Sequence, residues 1–312
     1  MDNLCVFDAH CDTISRCYYL HEGLGKNAGA LSLERTAGFA RYCQFFALWT
    51  AKNYAEKDGR SMEDSYRVLL DCFKGQMAQN ADKIVQCRTA RDVEQAHRCG
   101  KAAAFLTVEG AELLGCDPAR LDGAAAAGVT AINLTWNHAN ALSGSHCERP
   151  DRGLSPVGRK FVAKMEDLHI LVDVSHLSEA GFWDVAEMAR RPFIASHSNA
   201  KSVWDHTRNL TDGQINAIIK NQGVIGLNFY EEFVGGSRDL DAVRAHLDHM
   251  LALGGRACVA LGGDWDGCET IDALPSIDRL SGLYEHLLCH GYDETVVRDL
   301  FYNNLMRVVS QR

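Results

Sequence analysis

Eight short apolar runs of strand type, alternating with segments of helical periodicity, predict an α/β protein built as a (β/α)8 barrel. Two further observations point the same way. The long connections follow the strands rather than precede them, at residues 137–152, 228–238 and 263–275. Polar and ionisable residues recur where the strands end, and in a barrel that edge is the mouth where chemistry sits. The rival architecture, an open doubly wound sheet, is weakened because no strand leads into a G-x-G-x-x-G turn.

The strand runs are 4–7, 42–48, 102–108, 130–134, 170–174, 193–195, 223–227 and 258–261. Apolar residues at helical spacing predict helices over 61–80, 118–127, 155–168, 177–190, 211–220 and 240–253. Ser178 is of the residue type that caps a helix start. A last helix over 294–309 is expected to pack against the outside of the barrel. With only 5 prolines and no low-complexity stretch or repeat, no linker divides the chain, and one domain over 1–312 is expected.

Bulk composition narrows the function classes. A hydrophobic content of 46% with 23% charge fits a globular protein with a large core, and a net charge of −9 argues against a nucleic-acid surface. No apolar run approaches the ~20 residues of a membrane span. The first residues lack a basic segment followed by a long apolar one, so no secretory signal is expected. The 12 cysteines form no C-x-x-C pair, and several lie in apolar runs; reduced, buried thiols in a cytoplasmic protein are expected. Cys11 and Cys268 lie beside candidate site residues.

The first strand runs into Asp8-Ala9-His10-Cys11-Asp12, where an extended chain would point His10 and Asp12 to one face. The third ends at Glu109, the fifth at Ser175-His176 and the sixth at Ser196-His197. Taken singly, each fits a turn or loop role. Together they are nitrogen and oxygen donors without thiolates, a set suited to Zn2+ or a similar divalent ion. Five donors exceed what one hydrolytic zinc with an open position needs, so a carboxylate bridging two metals fits the count better. Asp264, after the last strand, is placed to handle a water proton, and the glycines beside it allow close backbone approach. Asp266 reads as a turn or cap residue. His246 and His249 read as a solvated helix face; His97, His169, His286 and His290 read as helix-surface positions. His146 and His206 lie in mouth-side loops, and Trp204 and Trp265 read as site walls or core.

The segments DAHCD, FLTVEGAELL, LVDVSHLSE, FIASHSNAKSV, TRNLTD, GLNFY and LGGDWDG occur in an order and spacing that resembles the membrane dipeptidase (renal dipeptidase) family of zinc metallopeptidases. The resemblance covers nearly the whole chain, and is to a bacterial-type member without a signal peptide. It implies a metal-dependent hydrolase barrel in which His10 and Asp12 hold one zinc, His176 and His197 hold a second, and Glu109 bridges both. It further implies that Arg208 reads the substrate's carboxylate, that Asp264 serves the bridging water as proton carrier, and that Tyr230 lies in the substrate site. The activity implied is hydrolysis of dipeptides, including ones with a D-residue second, and the assembly implied is a homodimer, which no residue here shows. One departure stands out. Where many members have a substrate-contacting histidine, this chain has Trp136, with His138 two residues on. Either His138 supplies the imidazole from a shifted loop or it is a polar loop residue. The same barrel also suits hydrolysis of another amide, an N-acyl amino acid or a lactone, or a metal-binding relative without catalysis.

Overall fold

The structure, a computed structural model, describes residues 4–312. Its strands are β1 (Cys5–Cys11), β2 (Arg41–Leu48), β3 (Ile84–Gln86), β4 (Ala102–Glu109), β5 (Val129–Asn133), β6 (Leu171–Asp173), β7 (Ile194–Ala195), β8 (Val224–Leu227) and β9 (Val259–Leu261). All pairings between them are parallel. β2 pairs with β4, bypassing β3, and β1 pairs with β9, so the eight strands other than β3 close on themselves. These eight are the expected barrel strands. β3 lies outside the ring, paired to the first half of β4, and its three residues are too short a run to stand out in the sequence.

The outer layer contains α1 (Thr13–Leu20), α2 (Met62–Gln79), α3 (Ala90–Arg98), α4 (Leu121–Ala127), α5 (Pro156–Asp167), α6 (Glu179–Met188), α7 (Asp212–Lys220), α8 (Leu240–Ala252) and α9 (Leu280–Cys289), and α10 (Asn304–Ser310) ends the chain. The side chains of Ser61, Ser155, Ser178 and Thr211 each accept a backbone N–H of the first turn, as N-caps do. Ser178 thus caps α6 as expected. α1, α3 and α9 lay outside the sequence expectations; α3, for example, buries only Val93 and Ala96, too sparse an apolar stripe to stand out.

Several expectations are corrected. β1 continues to Cys11, so Asp8 and His10 lie within the strand, and Asp12 is the α1 N-cap rather than an extended residue. The C-terminal helix is broken by a π turn at Asp299–Asn303. Its last segment does not lie on the outside: Leu305, Val308 and Val309 join the cluster that fills the barrel, and Arg307 donates to the carbonyls of Gln222, Gly223 and Ala257 at the strand starts. His246 is fully buried, holding the Ala200 N–H and the Val234 carbonyl, and not solvated. His169 sits past the end of α5 with φ +57°, not on a helix surface. Trp265 is core, whereas Trp204 is exposed. Among the described residues, no helix is long and apolar enough to cross a membrane.

Inside the ring, Phe7, Phe45 and Phe105 pack with ring centroids 5.4–5.5 Å apart. Fully burying a phenylalanine contributes about 1.5–3 kcal/mol, so this aromatic floor is a rigid base. Phe105, Thr107 and Glu109 alternate to the same side of β4, which lifts Glu109 above that floor to the mouth.

Candidate metal centre

Six ionisable side chains from five strand ends converge above the floor. His10 Nε2 lies 3.4 Å from Asp12 Oδ2, 3.4 Å from Glu109 Oε2 and 3.8 Å from Asp264 Oδ1. The other Glu109 oxygen, Oε1, lies 2.8 Å from His176 Nε2 and 3.5 Å from His197 Nε2. His176 and His197 bring their Nε2 atoms within 2.9 Å of each other. Two donors held about 2.0–2.1 Å from one ion at a tetrahedral angle sit ~3.3–3.4 Å apart. The contacts of His10 with Asp12 and Glu109 and the His197–Glu109 contact match that edge, Asp264 lies farther off, and the contacts of His176 are shorter and would open slightly. His10 Nε2 and Asp12 Oδ1 are buried with no hydrogen-bond partner, a costly state that a cation relieves. The donor chemistry therefore fits divalent metal, with Glu109 between two sets of donors.

Burial sets the proton affinities here. It pushes Glu109 up to about 7 and raises Asp12. Burial opposes a charge on His10, but the facing carboxylates of Glu109 and Asp12 outweigh it and hold His10 well above the usual imidazole range. His176 and His197 are held well below that range, first by burial and then by neighbouring cations that include Arg208. Without a metal ion, the Glu109–His10 side therefore competes for protons more strongly than His176 and His197 do.

Buried polar residues that the motif reading left unassigned hold the donors in place. Asp8 accepts the backbone N–H of His10 (3.0 Å) and Gln44 Nε2 (2.9 Å) with one oxygen, and the Gly263 N–H (2.9 Å) with the other. Asp173 accepts the N–H groups of Ser175 (3.0 Å) and Ser196 (3.1 Å), tying together the strand ends that carry His176 and His197. Asn137 Oδ1 lies 2.9 Å from His176 Nδ1 and 3.0 Å from His146 Nε2. His146, pushed down to about 3 by burial and by Arg208, stays neutral and accepts from the Thr207 hydroxyl. The one sequence sign available for Asp8 and Asp173 was a carboxylate inside an apolar strand, two or three residues before a histidine.

Backbone strain marks the same place. His176 (φ +70°) and Asp264 (φ +61°) occupy the left-handed region, which side chains other than glycine rarely adopt and which recurs at functional sites. A Cβ on Gly267 would lie 2.1 Å from Asp12 Oδ2 and 2.6 Å from Asp264 Oδ1, so only glycine lets that turn close over the carboxylates.

The sequence pattern of the membrane dipeptidase family (peptidase family M19) matches residues 1–312. The chain belongs to this family. As a membrane dipeptidase family member it is a metallopeptidase, a hydrolase of peptide bonds. It is 34% identical over 252 residues to a Klebsiella pneumoniae protein known as the uncharacterized protein in the pqqA 5' region, spanning 77% of this chain and 93% of that protein. Among solved structures it is similar to a metallo peptidase from Rhodobacter sphaeroides liganded with a phosphinate mimic of the dipeptide L-Ala-D-Ala, at 29% identity and TM-score 0.88, covering 99% of both chains. It is also similar to the metallo peptidase called dipeptidase AC, at 28% identity and TM-score 0.90, covering 99% of this chain and 98% of that one.

Three cavities adjoin the centre of this family member. One of about 280 Å3 is bordered by Asp12, Glu109, His176, Asp264 and Tyr230. Tyr230 thus faces the space over the donors, as does Cys268; Cys11 is buried in the core. Asp264 Oδ2 accepts from Asn228 Nδ2 at 3.0 Å. Asp266 is turned away, accepting from Thr13 and Ala30 as a turn residue does.

A second cavity of about 210 Å3 is bordered by Arg208, His176 and His146. Arg208 is 3% exposed and stacks with its guanidinium carbon 5.3 Å from the Phe233 ring. It donates to the His197 carbonyl and the Ser198 hydroxyl, its Nε has no partner, and among the described residues it forms no ion pair. Burial lowers its pKa, yet a guanidinium stays charged. His206 does not reach the donors; it accepts the Arg208 backbone N–H and packs on Phe233.

The third cavity, about 700 Å3, runs from Glu109 along Trp136, Trp49, Tyr54 and Met62. The Trp136 ring lies 6.5 Å from that of His176 and 5.0 Å from that of Trp49. His138 stands on the outer rim of this cavity with its side chain 76% exposed, 6.0 Å from the Trp136 ring and 3.9 Å from Glu148.

Proposed function

We propose that this chain hydrolyses dipeptides at a centre of two divalent ions, zinc or a chemically similar metal. The carrying observation is the division of the Glu109 carboxylate, one oxygen toward His10 and the other toward His176 and His197. His10 and Asp12 would hold one ion, His176 and His197 the other, with Glu109 between. Ions bound there supply Lewis acidity, polarising the scissile carbonyl and lowering the pKa of water toward neutrality.

The chain's own residues do the rest. Asp264, anchored by Asn228 and facing His10, takes the water proton and returns it to the leaving amine. Arg208 pairs with the C-terminal carboxylate; a buried guanidinium without an ion-pair partner is suited to a planar anion. A carboxylate held by Arg208, which donates to the backbone of His197 itself, favours dipeptides over longer chains. Trp136 and Trp49 wall the space for the N-terminal side chain, and Tyr230 borders the smaller cavity over the donors with them. His138, exposed at the rim, receives no proton step in this scheme. The phosphinate-liganded relative supports a dipeptide, and its ligand motivates including substrates whose second residue is D. The absence of any disulfide among the described residues supports a reducing compartment, the cytoplasm. The homodimer is put to sedimentation.

Trp136 favours a second reading, in which an apolar acyl group replaces the amino-terminal residue and the substrate is an N-acyl amino acid or a lactone. Metal analysis combined with a panel of L,L- and L,D-dipeptides, N-acyl amino acids and lactones tests both. Turnover confined to N-acyl amino acids or lactones would reject the dipeptidase reading, and full metal loading with no turnover on any panel member would indicate a binding protein.

A further inference from the structure

A second group of donor atoms lies between α8 and α9, with none of its residues among those of the metal centre. α9 carries His286 in its last turn and ends at His290, its C-cap residue, which donates back to the His286 carbonyl; the two ring centroids are 4.2 Å apart. α8 supplies Asp241. Its Oδ1 lies 3.2 Å from His286 Nε2 and 3.7 Å from His290 Nε2, and all three donor atoms fall within 4.8 Å of one another. These spacings bracket the ~3.3–3.4 Å edge of a tetrahedral zinc site.

The tautomer of one ring is fixed by its own helix. His290 Nδ1 lies 2.8 Å from the His286 carbonyl, which can only accept, so Nδ1 carries the hydrogen and Nε2 turns a lone pair toward Asp241 when the ring is neutral. A carboxylate oxygen and an imidazole lone pair facing each other are reconciled either by a proton on the ring or by a metal ion between them. Arg244 supplies part of that charge, 3.1 Å from Asp241 Oδ1, but it also reaches Asp248 at 3.0 Å and keeps a partner if Asp241 turns away.

We propose that the α8–α9 seam binds a further divalent transition-metal ion through Asp241, His286 and His290, separate from the centre in the barrel mouth. Two imidazoles and one carboxylate select zinc, nickel or copper over magnesium or calcium. The open side faces solvent, since these side chains are 55%, 19% and 39% exposed respectively. The ion clamps two helices that otherwise meet through side-chain packing.

The test is calorimetric titration of the full chain, stripped of metal, with Ni2+ as probe, alongside hydrolytic turnover of the untreated protein. The wild type is expected to bind one Ni2+ equivalent more than His286→Ala or His290→Ala. Each variant should weaken that step at least about tenfold and leave hydrolytic turnover unchanged, which also reports an intact fold. Equal Ni2+ binding by wild type and both variants overturns the proposal. So does an extra equivalent that survives the double substitution, because protonated histidines paired with Asp241 would then account for the cluster.

Discussion

Asn137 Oδ1 lies 2.9 Å from His176 Nδ1, and this contact decides which nitrogen of His176 faces the centre. An amide oxygen only accepts, so Nδ1 carries the hydrogen and Nε2 keeps its lone pair for the space beside Glu109. Asn137→Leu should weaken uptake of the metal at the His176–His197 side by about 10–100-fold. Metal titration followed by elemental analysis reads this directly. Unchanged affinity would mean that packing alone orients the ring.

Asp264→Asn keeps the shape of the side chain and removes its capacity to take a proton. Metal content should stay near the wild-type value while kcat falls by about 10²–10⁴. Normal turnover in this variant would sink the proton-carrier role.

Arg208→Lys retains the charge but loses the planar fork. For dipeptides with a free C-terminal carboxylate, kcat/KM should fall by about 10- to 100-fold. C-terminally amidated dipeptides, poor substrates already, should be almost unaffected. An equal loss on both would place Arg208 in the fold rather than in recognition.

Trp136→Ala should cost about 10–100-fold in kcat/KM on dipeptides with a large apolar first residue, and much less on alanyl ones. The ratio of the two rates is the informative quantity, since a general loss of stability would move both together.

Metal uptake should depend on pH in a direction set by Glu109 and His10. Burial raises Glu109 to about 7, and the facing carboxylates hold His10 well above the usual imidazole range, so protons compete with metal for the Glu109–His10 side. Affinity should therefore fall as pH drops below about 7, by ~tenfold per unit for each proton an ion displaces. Titrations at three pH values would show the slope, and a flat profile between pH 8 and 6 would contradict it. Stripping the metal should also lower Tm, by about 5–8 °C if the ion is bound at a thousandfold excess over its Kd.

The barrel was legible in the sequence because its signals are local. A strand buried on both faces is a short apolar run, a helix is a 3.6-residue period, and all eight ring strands and the main capped helices follow from those two patterns. The order of polar residues after the runs likewise marked His10, Asp12, Glu109, His176, His197 and Asp264 as mouth residues. Tertiary structure alone decided how they meet. The division of Glu109 between two donor groups joins β4 to strand ends that lie almost 100 residues before it and more than 60 after it. Asp8 holds Gly263 across 255 residues, and Asp173 binds the two histidine-bearing ends together. The same holds for His246, whose helical spacing suggested a wet face and whose neighbours bury it, and for His138, which lies beside Trp136 in sequence yet stands at the exposed rim. Periodicity reports only what a residue's own element exposes. Burial and hydrogen-bond partners are set by elements packed against it from elsewhere in the chain, and no local pattern records them.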